Sequence, residues 1–248
     1  MRRTLRYVLA LLSLAATLQL PAARAAEPVD LLLVLAADVS RSIDQPKFQL
    51  QRDGYVAAIS HPRVLHAITS GPNKRIAVCF VEWSGMGAQK VIIDWTLIGD
   101  AEAARRFGDQ LLEASRPFAD RTSIGGAIDF AVALFDRVPY ESTRRTIDVS
   151  GDGDNNAGRD VTAARDEAVA KGITINGLVI LTGNPPPWSS GHMNPPGGLE
   201  AYYRNNVIGG PGAFVIAAEN FEAFGRAIIS KMVAEIAALP LEQVAMGP

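Results

Sequence analysis

The chain has 248 residues, 48% of them hydrophobic, with 24 Lys and Arg against 26 Asp and Glu. It is too apolar and too near neutral for disorder, and one cysteine is too few for a disulfide scaffold or a cysteine-rich zinc module. The formal charge of −2 hides an asymmetry: Arg2, Arg3, Arg6 and Arg24 fall in the first 25 residues, which hold no acid, and without them the balance is 20 basic to 26 acidic, or −6.

Taken in chain order, residues 1–25 read as a secretory signal peptide: a basic start, an apolar stretch from Tyr7 to about Leu20, and Ala23-Arg24-Ala25 as an A-x-A cleavage signature. A membrane anchor fits less well, because the stretch is short, holds Ser13, Thr17 and Gln19, and meets Pro21. Nothing downstream is long and apolar enough to span a bilayer, so the mature chain is expected to be secreted or periplasmic. Its acidic balance argues against nucleic acid as a partner, since phosphate neutralisation needs a basic patch.

Residues 26–248 read as one α/β domain. Val29 to Ala37 is almost continuously apolar, as in a central parallel strand covered on both faces. A polar turn, Asp38-Val39-Ser40-Arg41-Ser42, leads into a helix over 43–59 that His61-Pro62 is expected to end. Strands over 75–83 and 89–96 are joined by so short a turn that they must be antiparallel. Helices follow at about 100–115 and 124–137, a strand at 144–150, a helix at 159–171, strands at 173–181 and 213–217, and a terminal helix at 219–238. This alternation predicts a doubly wound, mostly parallel sheet with one antiparallel edge strand and helices on both faces. The exception is 182–212, a Pro- and Gly-rich insertion that starts from the carboxyl edge of the sheet, where open α/β sheets place their sites.

Three loops share that edge. They bring Asp38, Ser40 and Ser42 from the first strand, Thr122 from the segment before the 124–137 helix, and Asp152 with Asp154 from the strand ending near Ser150. Two carboxylates and three hydroxyls, without His or Cys, form a hard oxygen set suited to Mg²⁺, with Mn²⁺ or Ca²⁺ as substitutes, rather than zinc.

This arrangement resembles the metal-ion-dependent adhesion site of von Willebrand factor type A domains, over about residues 28–238. The whole pattern, including Val149-Ser150-Gly151-Asp152-Gly153-Asp154-Asn155-Asn156 and the Pro-rich loop, looks most like a family of secreted bacterial proteins of this fold with no assigned function. The resemblance implies that Ser40 and Ser42 ligate the ion directly, Thr122 directly or through water, and Asp38 and Asp152 largely through bound waters. An acidic residue of a protein partner would complete the octahedron. One departure is Gly151, where such domains usually carry Thr or Ser before the second aspartate.

Blander readings compete. Ser42 or Asp44 could cap the 43–59 helix, and Thr122 or Ser123 the next one, with no metal at all. Asp152-x-Asp154-x-Asn156 imitates a calcium loop, but its twelfth position is Ala163, so turn formation at the site rim is the better reading. Cys79 reads as a core residue, and His61, His66 and His192 form no metal spacing. Trp188, Tyr202 and Tyr203 are either recognition anchors in an exposed loop or residues that fold it onto the domain. The expected function is cation-dependent protein binding. The alternatives are a metal-dependent hydrolase, with Asp154 as base but no fixed partner for it, and a metal-free structural domain.

Overall fold

The computed structural model describes residues 26–182, 187 and 190–238. The leader at 1–25 and Trp188 lie outside the described residues. Six strands form the main sheet: β2 (Leu32–Asp38), β3 (Ile76–Trp83), β4 (Gln89–Ile98), β6 (Arg145–Gly151), β7 (Thr174–Ile180) and β8 (Val215–Ala218). Their spatial order is β4-β3-β2-β6-β7-β8, with every pair parallel except β3 and β4. Two further short strands, β1 (Glu27–Pro28) and β5 (Tyr140–Glu141), pair with each other away from it.

The apolar run of β2 is buried at every position because the strand faces helices on both sides. Leu33, Leu35 and Ala37 point into one core with α1 (Gln45–Ile59), α2 (Pro62–Thr69), α3 (Ala101–Glu113) and α8 (Phe224–Ala237). Leu32, Val34 and Ala36 point into the other, against α4 (Ile124–Leu134) and α5 (Val161–Ala170). At roughly 1.5–3 kcal/mol for each fully buried aliphatic side chain, this strand alone fixes the register of the sheet's centre.

The helix boundaries follow local chemistry. Asp44 accepts the Lys47 N–H at 3.0 Å and caps α1, with Pro46 in the first turn. His61-Pro62, read as a stop, also starts α2: the His61 ring accepts the Arg63 N–H at 3.2 Å, and Pro62 needs no donor at the first helical position. The 124–137 helix ends at Leu134 and tightens into a 3₁₀ turn at Phe135–Arg137. The last helix starts at Phe224, because 219–223 form a turn in which Asn220 accepts the Ala223 N–H. The 182–212 segment is not irregular throughout. It carries α6 (Ser190–Met193), α7 (Leu199–Tyr202) and a π-helical turn over Tyr203–Val207.

From β2 the chain moves outward to β3 and β4, then returns to place β6 on the other side of β2. The carboxyl ends of β2 and β6 therefore flank a topological switch point, where connections diverge and leave a crevice. Asp38 ends β2, and Asp152 follows Gly151 at the end of β6.

Candidate metal centre

At this crevice the three loops meet. The Asp38 carboxylate accepts the Ser40 N–H at 2.7 Å, which folds the loop back on its strand. The Ser40 and Ser42 hydroxyls are 3.1 Å apart, and Ser42 donates to Asp152 at 2.6 Å. Adjacent ligands of an octahedral ion with bonds of about 2.1 Å stand about 3 Å apart, so the serine pair already has the spacing of one octahedral edge.

The carboxylates carry the electrostatic argument. Asp38 and Asp152 are both fully buried, and Asp38 Oδ2 and Asp152 Oδ2 have no hydrogen-bond partner among the described residues. Burial, reinforced by the Asp152 charge, pushes the Asp38 carboxyl well above its ordinary range against the Ser40 N–H. Burial also raises Asp152, with the Ser42 hydroxyl opposing it. Two adjacent buried acids with open oxygens are costly unless a positive charge faces them. Among the described residues no three His, Cys, Asp or Glu side chains gather to hold an ion. Any cation here relies on the hydroxyls as well as the acids, and the donors present fit a hard divalent ion.

Helix capping accounts for little of this. Asp44 caps α1, but the Ser42 hydroxyl is directed to Asp152 instead. At α4 the capping position is Ser123, which makes no side-chain cap bond, and the Thr122 hydroxyl meets His192.

The loop after β6 fixes Thr122 from behind. Asn156 Oδ1 accepts the Thr122 N–H at 3.0 Å, and the Asn156 and Ala157 N–H groups donate back to the Thr122 carbonyl at 2.9 and 3.1 Å. Asn155 Oδ1 accepts the Gly125 N–H at 3.2 Å, meeting the first turn of α4. Asp154 does not join Asp38 and Asp152; its carboxylate engages the His192 ring.

Two features here, Arg116 and His192, escaped the sequence reading, and a third, Tyr203, is decided between its two readings. Arg116 donates from one guanidinium nitrogen to the carbonyls of Val39, Ser40 and Ile43 at 2.7, 3.1 and 2.8 Å, tying down the serine loop while its plane lies over Phe48. Nothing periodic marks it in the sequence. His192 crosses from the insertion to Thr122 and Asp154, and a small cavity of about 190 Å³ lined by Ser40, Ser42, Thr122 and His192 opens beside it. Tyr203 is fully buried in the core under α4 and α5, so it folds the insertion onto the domain and is no exposed anchor. The spacing of Leu199, Tyr203 and Val207, all buried, was the available signal for that. Tyr202 is partly buried, and its phenol oxygen accepts the Asn155 N–H at 3.1 Å.

Tyr203 also explains Gly151. A Cβ at position 151 would lie 2.6 Å from the Tyr203 hydroxyl and 3.1 Å from Asp38 Oδ2. The space of a Thr or Ser side chain is taken by a phenol arriving from the insertion. Burial and the charges of Asp38 and Asp152 raise the Tyr203 phenol well above its ordinary range, and its hydroxyl has no hydrogen-bond partner among the described residues.

The family described as "Protein of unknown function (DUF1194)" matches residues 28–240. The chain belongs to the DUF1194 family. No curated protein matches it. Among solved structures, this DUF1194 chain is similar to proximal thread matrix protein 1 from the mussel byssus, at TM-score 0.62 and 13% identity over 85% of this chain and 49% of that one. One form of the mussel protein is described as having a zinc-occupied MIDAS motif. A von Willebrand factor type A protein from Catenulispora acidiphila matches at TM-score 0.55 and 12% identity, over 84% and 43%. The pilus adhesin SpaC from Lactobacillus rhamnosus GG, in an open conformation, matches at 0.58 and 14%, over 85% and 30%. The chain thus spans about half or less of the length of these structures, and at such identities the likeness establishes a von Willebrand A-like fold. No helix among the described residues is long and apolar enough to cross a membrane.

Proposed function

We propose that this DUF1194 protein is a divalent-cation-dependent protein-binding domain that works outside the cytoplasm behind a removable leader at 1–25. The observation that carries the reading is the pair of buried carboxylates, Asp38 and Asp152, with open oxygens beside the hydroxyls of Ser40, Ser42 and Thr122. Ser40 and Ser42 ligate the ion directly, Thr122 directly or through water, and the two acids act largely through water. Because neutral hydroxyls leave much of the ion's charge uncompensated, the remaining position attracts a carboxylate, here an acidic residue of the partner. Asp154 from the loop after β6 and Tyr202 from the insertion shape the rim that such a partner meets. The metal-occupied motif described for the mussel protein and the adhesin role in the name of SpaC support the class of function. Calorimetric titration with Mg²⁺ and Mn²⁺ tests it: heat from the wild type and none from Asp38→Ala is expected, whereas equal heats or no heat from both refute it.

A second reading, metal-assisted hydrolysis, gains from one correction. Asp154 does have a fixed partner, since His192 bonds it through one ring nitrogen and reaches the Thr122 hydroxyl with the other. That is the order of orienter, base and hydroxyl used in nucleophilic catalysis. Cation-dependent turnover in a broad ester and phosphoester screen, abolished by Asp154→Asn, would put this reading first.

A further inference from the structure

His192 lies 70 residues from Thr122 in sequence, yet it is held against the site at both ends. Its Nε2 is 3.1 Å from Thr122 Oγ1, and its Nδ1 bonds the Asp154 carboxylate. The Asp154 N–H also donates to the His192 carbonyl at 3.1 Å, so the residue is fixed through backbone and side chain together. The chain makes room for the ring at Gly153, where a Cβ would come within 2.1 Å of Nε2. The His192 side chain is 16% exposed and shares its small cavity with Ser40, Ser42 and Thr122.

Two facts turn this contact into a ligand geometry. The Thr122 Oγ1 to His192 Nε2 separation equals the Ser40 to Ser42 hydroxyl separation, 3.1 Å in each case, again close to the roughly 3 Å edge of an octahedron with bonds of about 2.1 Å. An imidazole whose far nitrogen is held by a carboxylate is also the usual way a protein aims histidine at a metal, because the carboxylate fixes the tautomer and strengthens the donor.

We propose that His192 supplies a nitrogen ligand to the cation held by Ser40, Ser42 and Thr122, with Asp154 as the positioning residue behind it. This rests on the metal reading above and deepens it. Oxygen donors alone favour Mg²⁺ or Mn²⁺, whereas an added imidazole moves the preference toward Zn²⁺, Ni²⁺ and Cu²⁺. It also takes one of the positions otherwise left to water or a partner, so the insertion itself decides how much of the ion a partner can reach.

Pulsed electron paramagnetic resonance on the Mn²⁺-loaded protein tests the bond directly, because a coordinated imidazole gives a nitrogen-14 modulation that oxygen ligands do not. The expected result is modulation in the wild type that disappears in His192→Ala and in His192→Gln while Mn²⁺ still binds. By calorimetry, Zn²⁺ affinity falls about tenfold or more in His192→Ala, and Mg²⁺ affinity changes less than about threefold. Asp154→Asn keeps the nitrogen signal and weakens Zn²⁺ by a smaller factor. Mn²⁺ binding with no nitrogen modulation in the wild type overturns this proposal and leaves the oxygen site standing. Modulation that survives in both His192 variants assigns the nitrogen to His61 or His66 and overturns it too. Absence of heat with every cation removes both readings.

Discussion

Replacing Asp38 by Asn separates the fold's need for this side chain from a cation's need for it. The amide keeps the size of the carboxylate and its oxygen can still accept the Ser40 N–H, now at 2.7 Å. What disappears is one of two buried charges whose outer oxygens lack partners and whose repulsion helps hold the Asp38 carboxyl above its ordinary range. Without metal, the variant is therefore expected to melt at or above the wild-type temperature. With metal the order reverses. A ligand at a hundredfold excess over its Kd adds about 2.7 kcal/mol to the native state. For a domain of this size that raises Tm by roughly 5–11 °C. The wild type gains it, and the variant, without the charge that faces the ion, gains less than about 2 °C. Differential scanning calorimetry in chelator and in excess Mg²⁺, at matched ionic strength, reads both effects. An equal rise in the two proteins, or a variant far less stable than wild type in chelator, refutes the reasoning.

Two further expectations concern the surroundings of the site. Gly151→Ser places its Cβ 2.6 Å from the Tyr203 hydroxyl and is expected to lower stability by about 1–3 kcal/mol; combining it with Tyr203→Phe recovers part of that loss, which a double-mutant cycle in urea measures. At the far side of the sheet, Lys231 bridges Asp148 at 2.6 Å and Glu235, all three buried, and burial raises the Asp148 carboxyl to about 7. Between about pH 4 and 7 the folded chain then keeps a proton that the unfolded chain, with its Asp near 3.9, gives up. Stability contributed by Asp148 is full below pH 4, falls as pH rises to 7, and is constant above, with a ceiling of about 4 kcal/mol. Urea unfolding from pH 4.5 to 8 is expected to show this slope, and Asp148→Asn is expected to reduce it.

The sheet was legible because its strands announce themselves physically. Residues 29–37 have nowhere to go but between two helical layers, and the short link at 84–88 leaves β3 and β4 only an antiparallel pairing. The start of α2 was missed because Pro62 opens a helix as readily as it closes one, and the choice depends on the His61 cap. At the site, Asp38, Ser40, Ser42, Thr122 and Asp152 could be read from their places after strands. His192 and Arg116 could not. Their roles come from the path of long loops, and a side chain that reaches across 70 residues leaves no spacing to detect. Tyr203 lay between these cases: a large aromatic in a Pro- and Gly-rich segment fits an exposed anchor as well as a residue that folds the loop onto the domain, and burial decides for the second.

The ties between Thr122 and the Asn155-Asn156 pair have a consequence for engineering. The segment that begins at Asp152 also sets the position of Thr122 and of the first turn of α4, so two of the three loops behave as one mechanical part. Transplanting the ligand residues alone into another sheet would leave Thr122 unsupported. Residues 152–157 have to travel as a block with 122–125, and a library that randomises only 155 and 156 would retune the site without altering a single residue assigned to the ion.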